Sequence, residues 1–439
     1  MKNLKRITSL LLAAAYFAGN VNAAETIHLK YGDDNYAVTP LWINMKAVED
    51  YYMQKIDDST WGHSPFFFAR NGIIYFTKDA GIAPSTSLLA VDGLTGEFKE
   101  IMPIDWNSFT HNEVAAVYCG VDSDGTCYVA SYGTASSDRY PFHIFPLEFD
   151  ESGHPKVIGR YQLEFGGNDW WIKSIDVCGS LLSGDFTVAS CVWNSMTIDS
   201  TRNLRTSVCL WHYSQYQPVW RREYVQPLTV PDIRLLTEDR LIVHDRHFLE
   251  NTTGYDYGTE AIAREPSLYT VDGDNMIFHS AIGAQPEDDG LGNGAAVFSL
   301  GEDHHFMAYA SSGCPSEFKL AAVPSSPSSF DDSEVLCVLT PKSIGLTDVE
   351  PGHDRFRTNV CTEKVDDNTV RVYVGGMRGV AAYSISRPED LNTGIDEVTI
   401  ENDMPTEYYT LTGLRISNPP STGLYIEKKG AEVSKKIAR

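Results

Sequence analysis

Eleven side chains combine flat rings with carboxylates, amides and a cation: Trp106, His111, Asn168, Asp169, Trp170, Trp171, Asp288, Asp289, His353, Asp354 and Arg355. Aromatic faces beside orienting hydrogen-bonding groups suit a sugar ring or a peptide. The same tryptophans also suit plain burial, which is what aromatic side chains mostly supply. Asp169, Asp288, Asp289 and Asp354 are the carboxylates a glycoside hydrolase or lyase would use, held about 5 to 10 Å apart across a sugar. With 59 Asp and Glu in the chain, some pair at that spacing is close to certain, so the pairing has little specificity.

Other chemistries leave weaker traces. There is no Ser-x-Asp-x-Gly-x-x-Trp box of the sialidase type, no phosphate-binding Gly-x-x-x-x-Gly-Lys-Ser/Thr, no Gly-x-Ser-x-Gly elbow and no His-Glu-x-x-His. His244-x-x-His247 and His304-His305 are metal-ligand types, but residues three apart on a strand point to opposite faces, so both read as structural. Asp122-Ser123-Asp124-Gly125 and Asp272-Gly273-Asp274 resemble fragments of a calcium loop without its remaining ligands. They read first as hairpin turns; calcium is the one cofactor left open, and no other is identified. The eight cysteines, Cys119, Cys127, Cys178, Cys191, Cys209, Cys314, Cys337 and Cys361, include no Cys-x-x-Cys and no zinc spacing. An even count admits four bridges and specifies none. Cys119 and Cys127 flank one turn almost symmetrically, which a hairpin would bring near each other. Most of the eight read as small buried hydrophobes.

The elements that position these residues are hairpins. From about Trp61 to Ser386, β-rich runs alternate with polar or glycine turns, as in Val114–Val121 and Thr126–Ser131 or Ala296–Leu300 and His304–Ala310. Met45 to Ile56 is the best helix candidate. The second runs centre on Ile74, Val129, Val188, Ile242, Met307 and Tyr373, roughly 55 to 65 residues apart, and each is followed by a third and usually a fourth run. This predicts an all-β chain: a β-propeller of about six four-stranded blades, with five or seven the neighbouring counts. Tandem β-sandwiches are the competing architecture. The last unit lacks a fourth strand, which the orphan run Thr26–Tyr31 is expected to supply. Such closure removes exposed sheet edges. Loops entering the innermost strands are expected at Trp106–Asn112, Gly166–Trp171, Pro231–Arg234, Glu287–Gly294 and Gly352–Arg357, and these hold the eleven residues named above.

Charge sets the compartment and excludes partners. A net charge of -24 and a pI near 4.8 exclude binding by phosphate neutralisation, hence nucleic acid, and disfavour anionic membranes. Residues 1–23 read as a secretory signal peptide: Lys2, Lys5 and Arg6, an apolar stretch from Ile7 to Ala18, and the small-residue exit Val21-Asn22-Ala23. That stretch is too short to span a bilayer, and no transmembrane segment is expected elsewhere. The expected organisation is signal peptide 1–23, propeller 24–390, linker 391–406 and a C-terminal β module 407–439.

Two segments resemble known families. Leu88-Leu89-Ala90-Val91-Asp92-Gly93-Leu94-Thr95-Gly96-Glu97 looks like the strand-turn unit of quinoprotein-like propellers; ten residues imply architecture and no cofactor. In the tail, Tyr409-x-Leu411-x-Gly413-x-Arg415, then Pro420-x-x-Gly423-x-Tyr425, then a lysine-ended strand, is similar to C-terminal sorting domains of the type IX secretion system of Bacteroidota. The match spans Glu407 to Arg439, with the strands and Asn-rich stretch that precede the longest family form shortened. Asp58-Ser59-Thr60 and Asp199-Ser200-Thr201 look like the short O-glycosylation pattern of that phylum. The resemblance implies the type IX machinery as a partner, delivery to the outer-membrane surface or the exterior, and a tail often removed on arrival. The resulting expectation is a secreted or cell-surface binding module for glycan or protein, with an extracellular carbohydrate-active hydrolase or lyase as the alternative.

Overall fold

The computed structural model describes residues 25–45, 66–77, 87–107, 109, 116–131, 142–163, 170–194, 205–226, 228–248, 261–263, 265–282, 294–311, 317–325, 328–341, 358–376 and 379–387 of the body. In the tail it describes 407–409, 415–416, 423–429 and 432–438. The helix candidate, from residue 46 onward, lies outside these residues, as do the leader and both Asp-Ser-Thr triplets. Among the described residues no helix is long and apolar enough to cross a membrane. The chain divides into two compact units, Met1–Pro388 and Glu389–Arg439.

The body is a six-bladed β-propeller of antiparallel sheets. Blade 1 comprises Phe67–Arg70, Ile73–Thr77, Ser87–Asp92 and Phe98–Pro103. Blade 2 comprises Ala116–Val121, Cys127–Ser131, Phe142–Phe149 and Pro155–Val157, with Tyr161–Leu163 also paired to its third strand. Blade 3 runs Trp170–Ser180, Asp185–Asn194, Arg205–Ser214 and Gln217–Gln226. Blade 4 runs Leu228–Leu235, Arg240–Phe248, Ser267–Asp272 and Asn275–Ala281, with Ala261–Ala263 beside its second strand. Blade 5 comprises Ala295–Leu300, His304–Ala310, Phe318–Val323 and Glu334–Thr340. Blade 6 comprises Asn359–Asp366, Thr369–Gly375 and Val380–Ser386, completed by two strands from the N-terminal end of the body.

That completion corrects one expectation. The strand hydrogen-bonded to Val380–Ser386 is Asp34–Asn44, and Ile27–Tyr31 lies outside it as a fifth strand. Pro40 explains the misreading, because proline within a run argues against a strand. The register of Asp34–Asn44 slips between Pro40 and Trp42, so the imino acid sits at a bulge that needs no ladder donor. Trp42 then donates its indole N–H to Gly93 O at 3.0 Å, tying the closing strand to blade 1.

The core lies between blades. The second-strand centres Ile74, Val129, Val188, Ile242, Met307 and Tyr373 are all buried, and apolar clusters bridge consecutive blades around the ring. A fully buried Ile, Val or Met contributes roughly 1.5–3 kcal/mol, so one such residue per blade already binds each sheet to its neighbours.

Polar turns add struts between blades. Asp122 accepts the amides of Asp124 (3.0 Å) and Thr126 (2.7 Å) within its own turn, and its other oxygen accepts Leu181 N–H of blade 3 at 2.8 Å. The Asp122–Gly125 segment is therefore a hairpin turn whose lead carboxylate is spent on backbone. At the closure, Glu363 of blade 6 accepts Gly72 N–H of blade 1 at 2.5 Å.

The C-terminal unit is a four-stranded sheet in the order Arg415–Ile416, Glu407–Tyr409, Gly423–Lys429, Glu432–Ala438. All its pairings are antiparallel.

Candidate functional site

Innermost strands of a propeller are apolar wherever they pack against neighbouring blades, so charges on them mark the axis. Asp176 of blade 3 and Asp232 and Arg234 of blade 4 are such charges. The guanidinium of Arg234 donates to Ala295 O of blade 5 at 3.1 Å and to Asn359 Oδ1 of blade 6 at 3.0 Å. It also lies 4.0 Å from Asp176 and 3.8 Å from Asp232. A side chain that meets four consecutive blades sits where their inner strands converge, on the ring axis. Asn359 extends the contact to blade 1 through Phe67 O at 3.4 Å.

The two carboxylates are engaged on their other sides. Asp176 Oδ2 accepts Leu235 N–H at 2.7 Å, and Asp232 Oδ2 accepts Gly294 N–H at 2.8 Å, each reaching into the next blade. The buried imidazole of His244 has Nδ1 3.9 Å from Asp232 Oδ2, an ion pair when it is protonated. Burial lifts the Asp176 carboxyl to about 6, although Arg234 and the Leu235 amide pull it down. Cys119 and Cys361, on inner strands of blades 2 and 6, have thiols that burial pushes far up, which keeps them protonated and unreactive. One guanidinium shared by the buried Asp232, the half-buried Asp176 and two neutral acceptors is a mechanical hub.

The two faces of the ring differ. Connections from first to second strands are short: 71–72, 122–126, 181–184, 236–239, 301–303 and 367–368. Second-to-third connections are 78–86, 132–141, 195–204, 249–266, 311–317 and 376–379. Blade-to-blade connections are 45–66, 104–115, 164–169, 227, 282–294 and 341–358. Antiparallel strands bring both of the latter sets to one face, so most of the long connections emerge together there. Only residue 227 and 376–379 are brief on that face, and only 324–333 is long on the opposite one.

Among the described residues, the buried indole N–H of Trp106, in 104–115, and the buried hydroxyl of Tyr309, at the end of a second strand, have no hydrogen-bond partner. Such groups are rare in folded proteins and each asks for an explanation.

The expected site residues distribute unevenly. Trp106 is not a loop-surface residue: its ring is 5 % exposed and meets Phe145 edge-on at 5.4 Å, because the segment after blade 1 packs inward. Trp170 and Trp171 are not in an entry loop but begin the inner strand of blade 3, paired with Asn194 and Trp193. The Pro231–Arg234 entry is likewise strand, with Pro231 inside a register shift between Thr229 and Asp232. His111, Asn168, Asp169, Asp288, Asp289, His353, Asp354 and Arg355 lie outside the described residues. Sequence reasoning passed over Arg234, Asp176 and Asp232. Their signal was present, as charges inside runs that otherwise read as buried strand.

His304 contacts Asp34 at 3.2 Å and the Tyr36 hydroxyl, clasping the closing hairpin to blade 5. Gly273, with φ of 59°, makes the Asp272–Asp274 turn. Seven described cysteines are unbridged. Cys119 faces Val129 and Cys127 faces Val121, so those two are diagonal rather than opposed. Among the described residues no three His, Cys, Asp or Glu side chains group as a metal site.

The fold and its axial hub thus define a six-bladed propeller with one elaborated face. No protein-family model and no curated protein matches the chain. Among solved structures it is similar to a Dos1 propeller at 10% identity and TM-score 0.33, covering 72% of this chain and 76% of that one. It is similar also to a structure of S. cerevisiae Dbp5 bound to Nup159, Gle1, IP6 and ADP, at 9% identity and TM-score 0.38, covering 81% and 97%. A subtype N10 neuraminidase-like protein of A/little yellow-shouldered bat/Guatemala is similar at 10% identity and TM-score 0.38, covering 79% and 97%. These likenesses concern the fold and carry nothing about ligands.

Proposed function

We propose that this chain is an exported propeller that binds an extracellular glycan or protein through its long-loop face. The observation that carries this reading is the asymmetry of the connections. Function concentrates on loops that a rigid scaffold positions, and here most of the long ones share one face. The hub supports it from the other side, since axial charges consumed in joining blades leave recognition to the loops. The leader-like residues 1–23 and the sorting-like residues 407–439 support delivery to the cell surface or exterior through the type IX machinery. Glycan-array and defined protein-partner screens test binding, and both coming back empty would overturn it. Deletion of residues 407–439 is expected to abolish surface delivery; unchanged delivery would remove the sorting role.

A hydrolase or lyase is the second reading, and Asp176 is what favours it, being a carboxyl held at about 6 beside Asp232 and Arg234. Turnover of a polysaccharide that disappears in Asp176→Asn, with binding kept, would establish it.

A further inference from the structure

The junction of blades 4 and 5 at the long-loop face gathers five polar side chains that the axial hub does not use: Glu265, Tyr309, Ser311, Glu317 and Lys319. Glu265 is 2 % exposed. It accepts a hydrogen bond from the Ser311 hydroxyl and an ion pair from Lys319 at 3.1 Å. Tyr309 stands directly across the strand pair from Lys319, so the two side chains share one face of blade 5. That face packs on blade 4, since Tyr309 shares its core with Ile242 and Leu268. Glu317 lies 4.0 Å from Lys319, and Ser311 N–H bonds Glu317 O at 2.7 Å, closing the neck of the 311–317 connection.

The Tyr309 hydroxyl is fully buried, has no hydrogen-bond partner among the described residues, and feels the charges of Glu265 and Glu317 after the dominant effect of burial. A buried hydroxyl left so placed is destabilising. A group that accepts from the phenol and donates toward the Glu265 carboxylate, which Lys319 ties to this same face, answers both groups. A hydroxyl does both. An ammonium can only donate, and a carboxylate can only accept. Lys319, with three donors and about a fifth of its side chain exposed, offers a second contact beside the first.

We infer that this junction is a subsite for two neighbouring hydroxyls of a glycan: one bridges Tyr309 to Glu265 or Glu317, and the next accepts from Lys319. The inference rests on the reading that the long-loop face binds ligand, and it assigns that ligand to the polyhydroxylated class.

The test takes the full chain through an array of mannan-, galactan-, glucan- and chitin-derived oligosaccharides, then titrates the tightest one calorimetrically. Tyr309→Phe keeps ring and packing, so its thermal midpoint is expected within a few degrees of the parent while affinity falls about tenfold, which corresponds to about 1.4 kcal/mol. Lys319→Gln is expected to weaken the same oligosaccharide. If Tyr309→Phe binds as tightly as the parent, the subsite is refuted, a buried water having filled it, and the face reading stands. If the parent retains no oligosaccharide, the subsite and the glycan reading of the face fall together.

Discussion

Replacing Arg234 by Met tests the hub most directly. The substitution keeps a long apolar stem and deletes the guanidinium, removing the bonds to Ala295 O (3.1 Å) and Asn359 Oδ1 (3.0 Å) and the charge facing Asp176 and Asp232. Breaking a buried pair from one side costs about 3–5 kcal/mol, because the remaining charge stays buried. The lower end applies here, since about a fifth of the Asp176 and Arg234 side chains meets solvent. With unfolding entropy of roughly 2 cal/mol/K per residue, 3 kcal/mol lowers the midpoint of a body this size by about 4 °C. The loss depends on pH with a defined sign. A carboxyl raised in the folded state contributes stability that is present below its unfolded pKa and disappears as pH rises through the folded one. Asp176, raised from 3.8 to about 6 with the guanidinium in place, rises further without it. The deficit of Arg234→Met should therefore be smaller at pH 5 than at pH 8, the bonds to Ala295 and Asn359 being lost at both, and adding Asp176→Asn should recover part of it at pH 8. Circular dichroism melts of the three proteins at both pH values decide the matter. A single variant within 1 °C of the parent at pH 8, or an equal deficit at pH 5 and 8, would refute the hub.

Two further substitutions probe the joints between blades. Gly93→Ala would place its Cβ 2.5 Å from the Tyr373 hydroxyl and 2.9 Å from Gly72 O, where blades 6 and 1 meet. A loss of about 2 kcal/mol or more in urea unfolding is expected, and unchanged stability would mean that this closure is slack. Asp122→Ala strips the acceptor for three amides, two in its own turn and Leu181 N–H of blade 3. About 1–3 kcal/mol should be lost, with faster amide exchange at Leu181 as the local mark; exchange no faster than in the parent would show that Leu181 finds another acceptor.

The architecture was legible because its signal repeats. Each blade shows a β-rich run, a turn and a second run with a buried centre, and those centres recur at a period that a ring explains. Where the reading went wrong, proline was twice the cause. Pro40 hid the closing strand and Pro231 made an inner strand look like a loop, since both sit at register shifts that only pairing partners reveal. The site was less legible for a different reason. Trp106 and Arg234 present the same side-chain chemistry in either setting; what separates a core indole from an exposed one, or a hub from a ligand contact, is which blades converge on it. That convergence depends on contacts as far apart as Arg234 and Asn359, which no local spacing encodes.

The fifth strand of blade 6 gives the closure its logic. A ring sealed by its last-paired strand would fray at its outer edge, and the seal itself would be that edge. Here Asp34–Asn44 makes the seal and Ile27–Tyr31 takes the exposed position, so loosening begins in a strand the ring can spare. The hairpin carrying both strands is held from outside its own sheet. Tyr31 meets His304 and Phe306 edge-on, and Asp34 pairs with Arg387 at 2.7 Å and with His304 of blade 5. The rim is clasped there and the axis is tied by Arg234, both through residues outside the long connections. On the proposed reading, recognition then falls to the long connections.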